Sequence, residues 1–383
     1  MGRPTDREIL ARLVAFETVS DRSNLPLVDW VADLLDRPGV RIARQPTDDG
    51  KKANLAIEIG PEPGPDRSGL TLCGHSDVVP ARGSGWESDP FALAERDGAW
   101  IARGAADMKG FLALAIGRAA DLDPERLVRP LALLITHDEE VGTIGARRFV
   151  EEGEEPGRLP RRTIVGEPTS LEVVRAHKGH ARVRIEVEGE SAHSAYPHLG
   201  RSAIEPAARA IVALSELRDE LAAARPPGGG VFETVPFVPL NVGRVRGGVA
   251  DNVVPDRCVV ELGFRPLPGM EARPLIERIR DAVAAPLTGV EWSLELVNES
   301  PPMETGADAD LHRWLCQASG QEGSRAVSFA TDAGWLSRAG FACVVWGPGS
   351  IEVAHKPNEF LPIDEFRRAG EVLDRAIERW CRA

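Results

Sequence analysis

Apolar residues recur at helical spacing from Asp6 to Glu17 and again from Leu27 to Leu35; the pattern then turns to short apolar runs broken by Gly and Pro. The runs are Gly69-Leu-Thr-Leu-Cys73, Leu131-Ala-Leu-Leu-Ile135 and Thr163-Ile-Val165, with an Ala/Leu-rich helical stretch from Phe111 to Ala120 between the first two. Helices alternating with apolar strands predict an α/β sheet. The rhythm returns near the C-terminus, where Ala342-Cys-Val-Val-Trp346 reads as a strand and Ile363 to Trp380 as a closing helix.

Between about 178 and 299 the order changes to strand (Ala181 to Glu188), helix (Ala203 to Ala224), two strands (Leu240 to Val245, Cys258 to Phe264), helix (Ala272 to Ala284) and strand (Glu291 to Leu296). This β-α-β-β-α-β series predicts a ferredoxin-like α+β domain, inserted into the α/β pattern. The expected division is a catalytic domain formed by residues 1–177 and 300–383, split by a smaller domain over 178–299.

Charge narrows the function. The 383 residues carry 46 basic and 59 acidic side chains, a net charge of −13, which argues against nucleic acid or an anionic membrane as the main partner. The basic residues are 41 Arg and only 5 Lys, a bias we read as codon usage rather than a recognition surface. No apolar run approaches the roughly 18 to 20 residues of a membrane span, and the opening MGRPTDREIL lacks a signal peptide's apolar core. Met1-Gly2 does not begin a myristoylation motif, because Asp6 stands where Ser or Thr is needed. Five widely spaced cysteines without a CxxC pair predict neither a disulfide framework nor a zinc knuckle. A soluble protein of the reducing cytoplasm is expected.

Several predicted strands end in side chains able to bind metal. The first run leads to His75 and Asp77, the second to Glu139 and Glu140, the third to Glu167 and the last to His355; Asp107 follows the short run Ala99-Trp-Ile-Ala102. Taken singly, each is more often a polar turn, a solvated face or a capping residue. In an open α/β sheet, however, ligands bind beyond the carboxyl ends of the strands, so residues far apart in sequence can converge there. Two His and three carboxylates suit zinc or a related divalent ion. His75 and Asp77 are two residues apart and share a face in extended backbone, so Asp77 is placed to accept from the imidazole nitrogen turned away from the metal. Glu139 and Glu140 are consecutive. One can bind metal while the other faces the reacting water only if the strand is ending there.

At these residues the chain resembles the M20 family of dinuclear zinc amidohydrolases and peptidases, its N-acetyl-amino-acid deacetylases most of all. The matching segments are Gly74-His-Ser-Asp-Val-Val-Pro80, Arg103-Gly-Ala-Ala-Asp-Met-Lys-Gly110, Asp138-Glu-Glu-Val-Gly142, Gly166-Glu-Pro-Thr169, Ala192-His-Ser194, Asn252-Val-Val-Pro-Asp256 and Gly347-Pro-Gly-Ser-Ile-Glu-Val-Ala-His-Lys-Pro-Asn-Glu359. They run in family order over nearly the whole chain.

The resemblance implies that Asp107 bridges two ions, Zn2+ or alternatively Co2+, with His75 and Glu167 completing one site and Glu140 and His355 the other. It implies Glu139 as general base and a cis peptide between Asp107 and Met108. It also implies that His193, in a smaller lid and dimerisation domain, reaches the active site of a partner subunit in a homodimer. Asn252 and Arg265 match substrate-binding positions, Arg265 suiting a bidentate grip on an α-carboxylate, and Thr331 and Gly347 match pocket-lining ones. The small-molecule substrate expected first is N2-acetyl-L-ornithine, in arginine biosynthesis. N-succinyl-diaminopimelate, N-acetylcitrulline, other N-acyl amino acids and dipeptides are the alternatives, and a metal-stabilised binding protein without catalysis is the alternative from another class. Two features depart from the deacetylase pattern: Ser76 after His75, and the segment Gly228-Gly-Gly-Val-Phe-Glu-Thr-Val-Pro-Phe-Val-Pro239. Three of the five lysines, Lys109, Lys178 and Lys356, fall inside or beside the motifs, and His177 and His180 read as residues of an inter-domain hinge.

Overall fold

The computed structural model describes residues 3–81, 85–153 and 158–382; Met1 and Gly2 lie outside the described residues. The chain divides into two compact units, one of Met1–Ala176, Glu304–Arg325 and Thr331–Ala383, the other of His177–Met303 with Ala326–Ala330. The chain passes from the first unit to the second between Ala176 and His177 and returns between Met303 and Glu304, against expected boundaries at 177/178 and 299/300. The return of 326–330 to the second unit has no counterpart in the sequence pattern. No described helix is long and apolar enough to cross a membrane.

Six strands of the first unit's nine-stranded sheet run side by side in the order Val40–Pro46, Ala53–Ile59, Leu131–Thr136, Leu70–His75, Arg162–Val165 and Ala342–Val345. The last four are mutually parallel, so their carboxyl ends open on one edge of the sheet. Leu70–His75 and Leu131–Thr136 are buried at every position, as strands covered on both faces must be. The helix Gly110–Asp121, apolar nearly all round, packs between this sheet and the helices Asp6–Ala15 and Ile363–Ile377. Asp6–Ala15 begins on a capping box, in which Thr5 and Glu8 satisfy each other's backbone N–H. The antiparallel strands Val40–Pro46 and Ala53–Ile59 were not singled out in the sequence, because neither alternates cleanly between apolar and polar residues.

The second unit is an antiparallel four-stranded sheet in the order Leu240–Gly247, Arg257–Phe264, His180–Glu188, Glu291–Ser300, the ferredoxin-like arrangement. Its helices, Ile204–Ala223 and Ala272–Ala284, close one core with the buried alternate positions Ala181, Val183, Ile185 and Val187. All five cysteines are buried and unpaired.

Candidate metal centre

Side chains gather beyond the parallel strand ends of the first unit. His75 closes its strand, and the register sets it opposite Thr136, after which the chain turns at Asp138 (φ +55°) into Glu139 and Glu140. The strand has therefore ended before the two glutamates, the condition under which consecutive side chains can serve different roles. Gly166 precedes Glu167 at a point where a Cβ would lie 1.9 Å from the Phe111 ring, so only glycine lets this strand end approach the central helix.

Asp107 arrives differently from the other ligands. The strand Ala99–Ile101 belongs to a separate three-stranded sheet, and Asp107 lies beyond it on the short turn Ala105–Lys109 that leads into the central helix. Its peptide bond to Met108 is cis.

Ligand-capable atoms of His75, Asp107 and Glu167 lie within 4.8 Å of one another, and so do those of Asp107, Glu140 and His355. Asp107 is common to both groups. Its Oδ1 is 3.1 Å from His75 Nε2 and its Oδ2 is 3.4 Å from His355 Nε2, while Glu140 Oε2 is 2.9 Å from the same His355 nitrogen.

Asp77 holds this arrangement from behind. Its carboxylate accepts from the backbone N–H of Glu139 at 3.0 Å and of Glu140 at 3.3 Å, and from the Ser20 hydroxyl at 2.7 Å. The imidazole of His75 differs from the expectation in one respect. Its Nδ1 faces the Asp77 carbonyl oxygen at 2.9 Å, with the carboxylate further off at 3.7 Å, because the carboxylate is engaged with the two glutamate N–H groups. The imidazole is thus oriented by the main chain of Asp77 and the glutamates by its side chain.

Electrostatics follow from burial. Burial, then the neighbouring Glu167 charge, raises the Glu139 carboxyl well above the usual range. Burial, then Asp107, does the same to Glu167, and burial also raises Glu140. Burial opposes charge on His75, yet its hydrogen bond to Asp107 and the surrounding carboxylates outweigh it and raise its pKa. His355, hydrogen-bonded to Asp107 and Glu140, is pushed up to about 10. A cluster this acidic, in which buried Glu167 Oε1 has no hydrogen-bond partner among the described residues, fits divalent cations.

Other residues of the site carry no ligand role. Buried Asp332, raised to about 6 by burial, accepts from the Thr136 hydroxyl at 2.5 Å. Lys52 pairs with Asp138 and donates to the Ser20 carbonyl at 2.6 Å. Glu359 is 1% exposed and binds the turn that carries Asp107. Nothing in the local sequence marks Lys52 or Asp332 for these contacts, and Glu359 is marked only by closing the segment Gly347–Glu359.

Thr331 is fully buried, and its hydroxyl accepts from Ala333 N–H at 3.1 Å. A Cβ at Gly347 would lie 2.6 Å from the carbonyl oxygens of Gly166 and Glu167. In the second unit His193 and Asn252 are exposed neighbours: His193 bridges to Val253, and Ser194 N–H donates to the Asn252 carbonyl at 2.9 Å. Arg265 is half-buried after Arg257–Phe264, its N–H donating to the Pro239 carbonyl at 3.1 Å. The motif lysines are mostly structural, since Lys109 donates to the Phe16 carbonyl at 2.8 Å and Lys178 to the Val235 and Phe237 carbonyls at 2.5 and 3.0 Å, whereas Lys356 is exposed.

Two triads sharing the buried Asp107, one wholly buried and the other opening to solvent at His355, lie beside a further carboxylate and beyond the strand ends of an α/β sheet, and they define a metal-dependent hydrolase. The chain belongs to the peptidase family M20/M25/M40, whose profile matches residues 71–379. The acetylornithine deacetylase of Myxococcus xanthus is 40% identical to it over 99% of this chain and 98% of its own length. That of Proteus mirabilis (strain HI4320) is 35% identical over the same shares. A solved M20-family metallo-carboxypeptidase from Sulfolobus solfataricus superposes with a TM-score of 0.78 at 19% identity, covering 98% of this chain and 99% of its own, a likeness of fold. The protein is accordingly a metal-dependent hydrolase of amide bonds.

Proposed function

We propose that the protein deacetylates N2-acetyl-L-ornithine to L-ornithine and acetate, in arginine biosynthesis. The reaction class is carried by the two triads sharing Asp107 with Glu139 held beside them; the substrate is supported by 40% identity to a deacetylase over nearly the full length of both chains. His75, Asp107 and Glu167 hold one ion, and Asp107, Glu140 and His355 the other, Zn2+ being the ion proposed and Co2+ the alternative. The ions supply Lewis acidity, polarising the amide carbonyl and making water acidic enough to attack at neutral pH.

The chain's own groups do the rest. Glu139 takes the proton of the attacking water and returns it to the departing α-nitrogen. Asp77 fixes the backbone of Glu139, so that the base is placed without an entropic search. Arg265 grips the substrate α-carboxylate and Asn252 also takes part in binding substrate, while Thr331 and Gly347 line the pocket. His193 of the partner subunit supports the carbonyl oxygen as charge develops on it, which makes the working enzyme a homodimer. The proposed residence is the cytoplasm, and the smaller unit is the proposed dimerisation and lid domain.

The test is hydrolysis by metal-stripped protein reloaded with Zn2+ or Co2+, comparing N2-acetyl-L-ornithine with N-acetylcitrulline, N-succinyl-diaminopimelate and dipeptides. One dominant kcat/KM for acetylornithine, abolished by chelation, is expected. A different preferred substrate leaves the metal centre standing and removes the biosynthetic role. Strong stabilisation by metal with no hydrolysis of any of them would favour a binding protein.

A further inference from the structure

Four of the five proposed ligands follow strands of the main sheet in sequence; Asp107 does not. It sits on the turn Ala105–Lys109, where the backbone of Asp107 (φ −117°, ψ 92°) and Met108 (φ −132°, ψ 34°) is not helical, so no regular ladder locates it. The side chain that does locate it is Glu359. Oε1 accepts from Ala106 N–H at 2.9 Å and Asp107 N–H at 3.0 Å. Oε2 accepts from Gly104 N–H at 2.9 Å and from the Arg103 guanidinium at 2.7 Å. The Glu359 carbonyl also accepts from Ala102 N–H at 3.1 Å. One carboxylate thereby uses both oxygens on donors from a single five-residue stretch, and Arg103 balances its charge.

Glu359 lies four residues after His355 in the same loop. That loop is anchored independently, for the Asn358 side chain donates to the Gly85 carbonyl at 2.8 Å and accepts from Glu87 N–H at 2.9 Å. The loop that brings His355 to one triad therefore also grips the turn that brings Asp107 to both.

We propose that Glu359 is a positioning residue of the metal centre: without touching either ion, it sets the placement of Asp107 relative to His355 and so the ability of the site to hold two ions together. The inference rests on the reading that Asp107 serves both ions. It requires a carboxylate, because a glutamine of the same shape has one acceptor oxygen, and its NH2 would face two N–H donors on one side of the turn. Aspartate, one methylene shorter, cannot span both pairs.

The experiment is Co2+ titration of the stripped full-length protein, well below its unfolding temperature, followed by visible absorption and by the magnetic coupling of the two ions. The native protein should bind two Co2+ per chain with a coupled signal. Glu359→Gln should weaken the second ion at least tenfold and lose the coupling. Native-like affinity and coupling in Glu359→Gln would overturn the proposal. So would an equal loss in Leu35→Ala, a destabilised core variant that should keep native Co2+ binding. Asp107→Ala tests the underlying reading separately: two coupled ions retained there would remove the bridge, whereas loss in Asp107→Ala with none in Glu359→Gln would remove only the role of Glu359. Should Glu359→Gln not fold, Arg103→Gln takes away one of the four donors. A weakened second ion then supports the proposal, and native affinity overturns it.

Discussion

The two units place charge on a β-sheet in contrasting ways. In the first, the central strands are buried at every position, and the acidic cluster begins only where they end. There burial pushes Glu139 and Glu167 up, while the half-exposed His355 reaches about 10 through its hydrogen bonds to Asp107 and Glu140. In the second, His180–Glu188 and Arg257–Phe264 alternate, burying one face and lining the other with charge. Arg257 pairs with Glu186, and Arg184 and Arg244 share Glu261 at 3.5 and 3.2 Å, all within reach of water. Charges are plentiful on both sheets. Burial, rather than their number, separates a reactive cluster from a solvated face.

Substitution can break this contrast most sharply at Glu139. Glu139→Gln should lower kcat by about 10²- to 10⁴-fold with metal stoichiometry intact, whereas Glu186→Gln on the second sheet should leave kcat alone. Substantial turnover without the Glu139 carboxylate would end its assignment as the base. The next largest effect is expected inside the second unit, where Ile185→Ala should cost about 2–5 kcal/mol in urea unfolding.

Metal removal should act on the first unit alone. At an ion concentration about 100 times Kd the bound state gains about 2.7 kcal/mol, so chelation should lower amide protection around Leu70–His75 and spare Arg257–Phe264. Uniform loss across both units would contradict a centre built within the first.

In stripped protein, Asp332 should give stability a pH slope. Its folded pKa of about 6 lies above the ordinary 3.8, so between those values the folded state holds more protons and stability falls as pH rises. Asp332→Asn should flatten the slope between about pH 4 and 6, and an unchanged slope would assign it to other groups. The smallest effect belongs to Arg257→Ala, under about 1 kcal/mol, because its partner lies on the open face; a larger loss would mean that this face is covered in the assembled protein.

Much of the site was legible because its residues sit beside readable elements. The runs before His75, Glu139 and Glu167 end within one or two residues of the observed strands, and Asp138 turns the chain as the paired glutamates require. Asp107 is read from the short run before it as well as from its motif, but that run belongs to another sheet, so its route to the strand ends of the main sheet was not legible. Glu359, Lys52 and Asp332 were not singled out. Each acts on a residue far away in sequence, Glu359 on Asp107 across 252 positions, and neither periodicity nor local spacing reports such a contact.

The sequence by itself determined the α/β layer, the ferredoxin-like insertion and which residues are able to bind metal, because hydrophobic period and residue chemistry are local properties that survive unfolding on paper. Tertiary structure decided which oxygen of Asp77 faces His75, which carboxylate clamps the Asp107 turn, and how far each pKa moves. Those depend on distance and on exclusion of water, and both arise only when strands and loops remote along the chain close on one another.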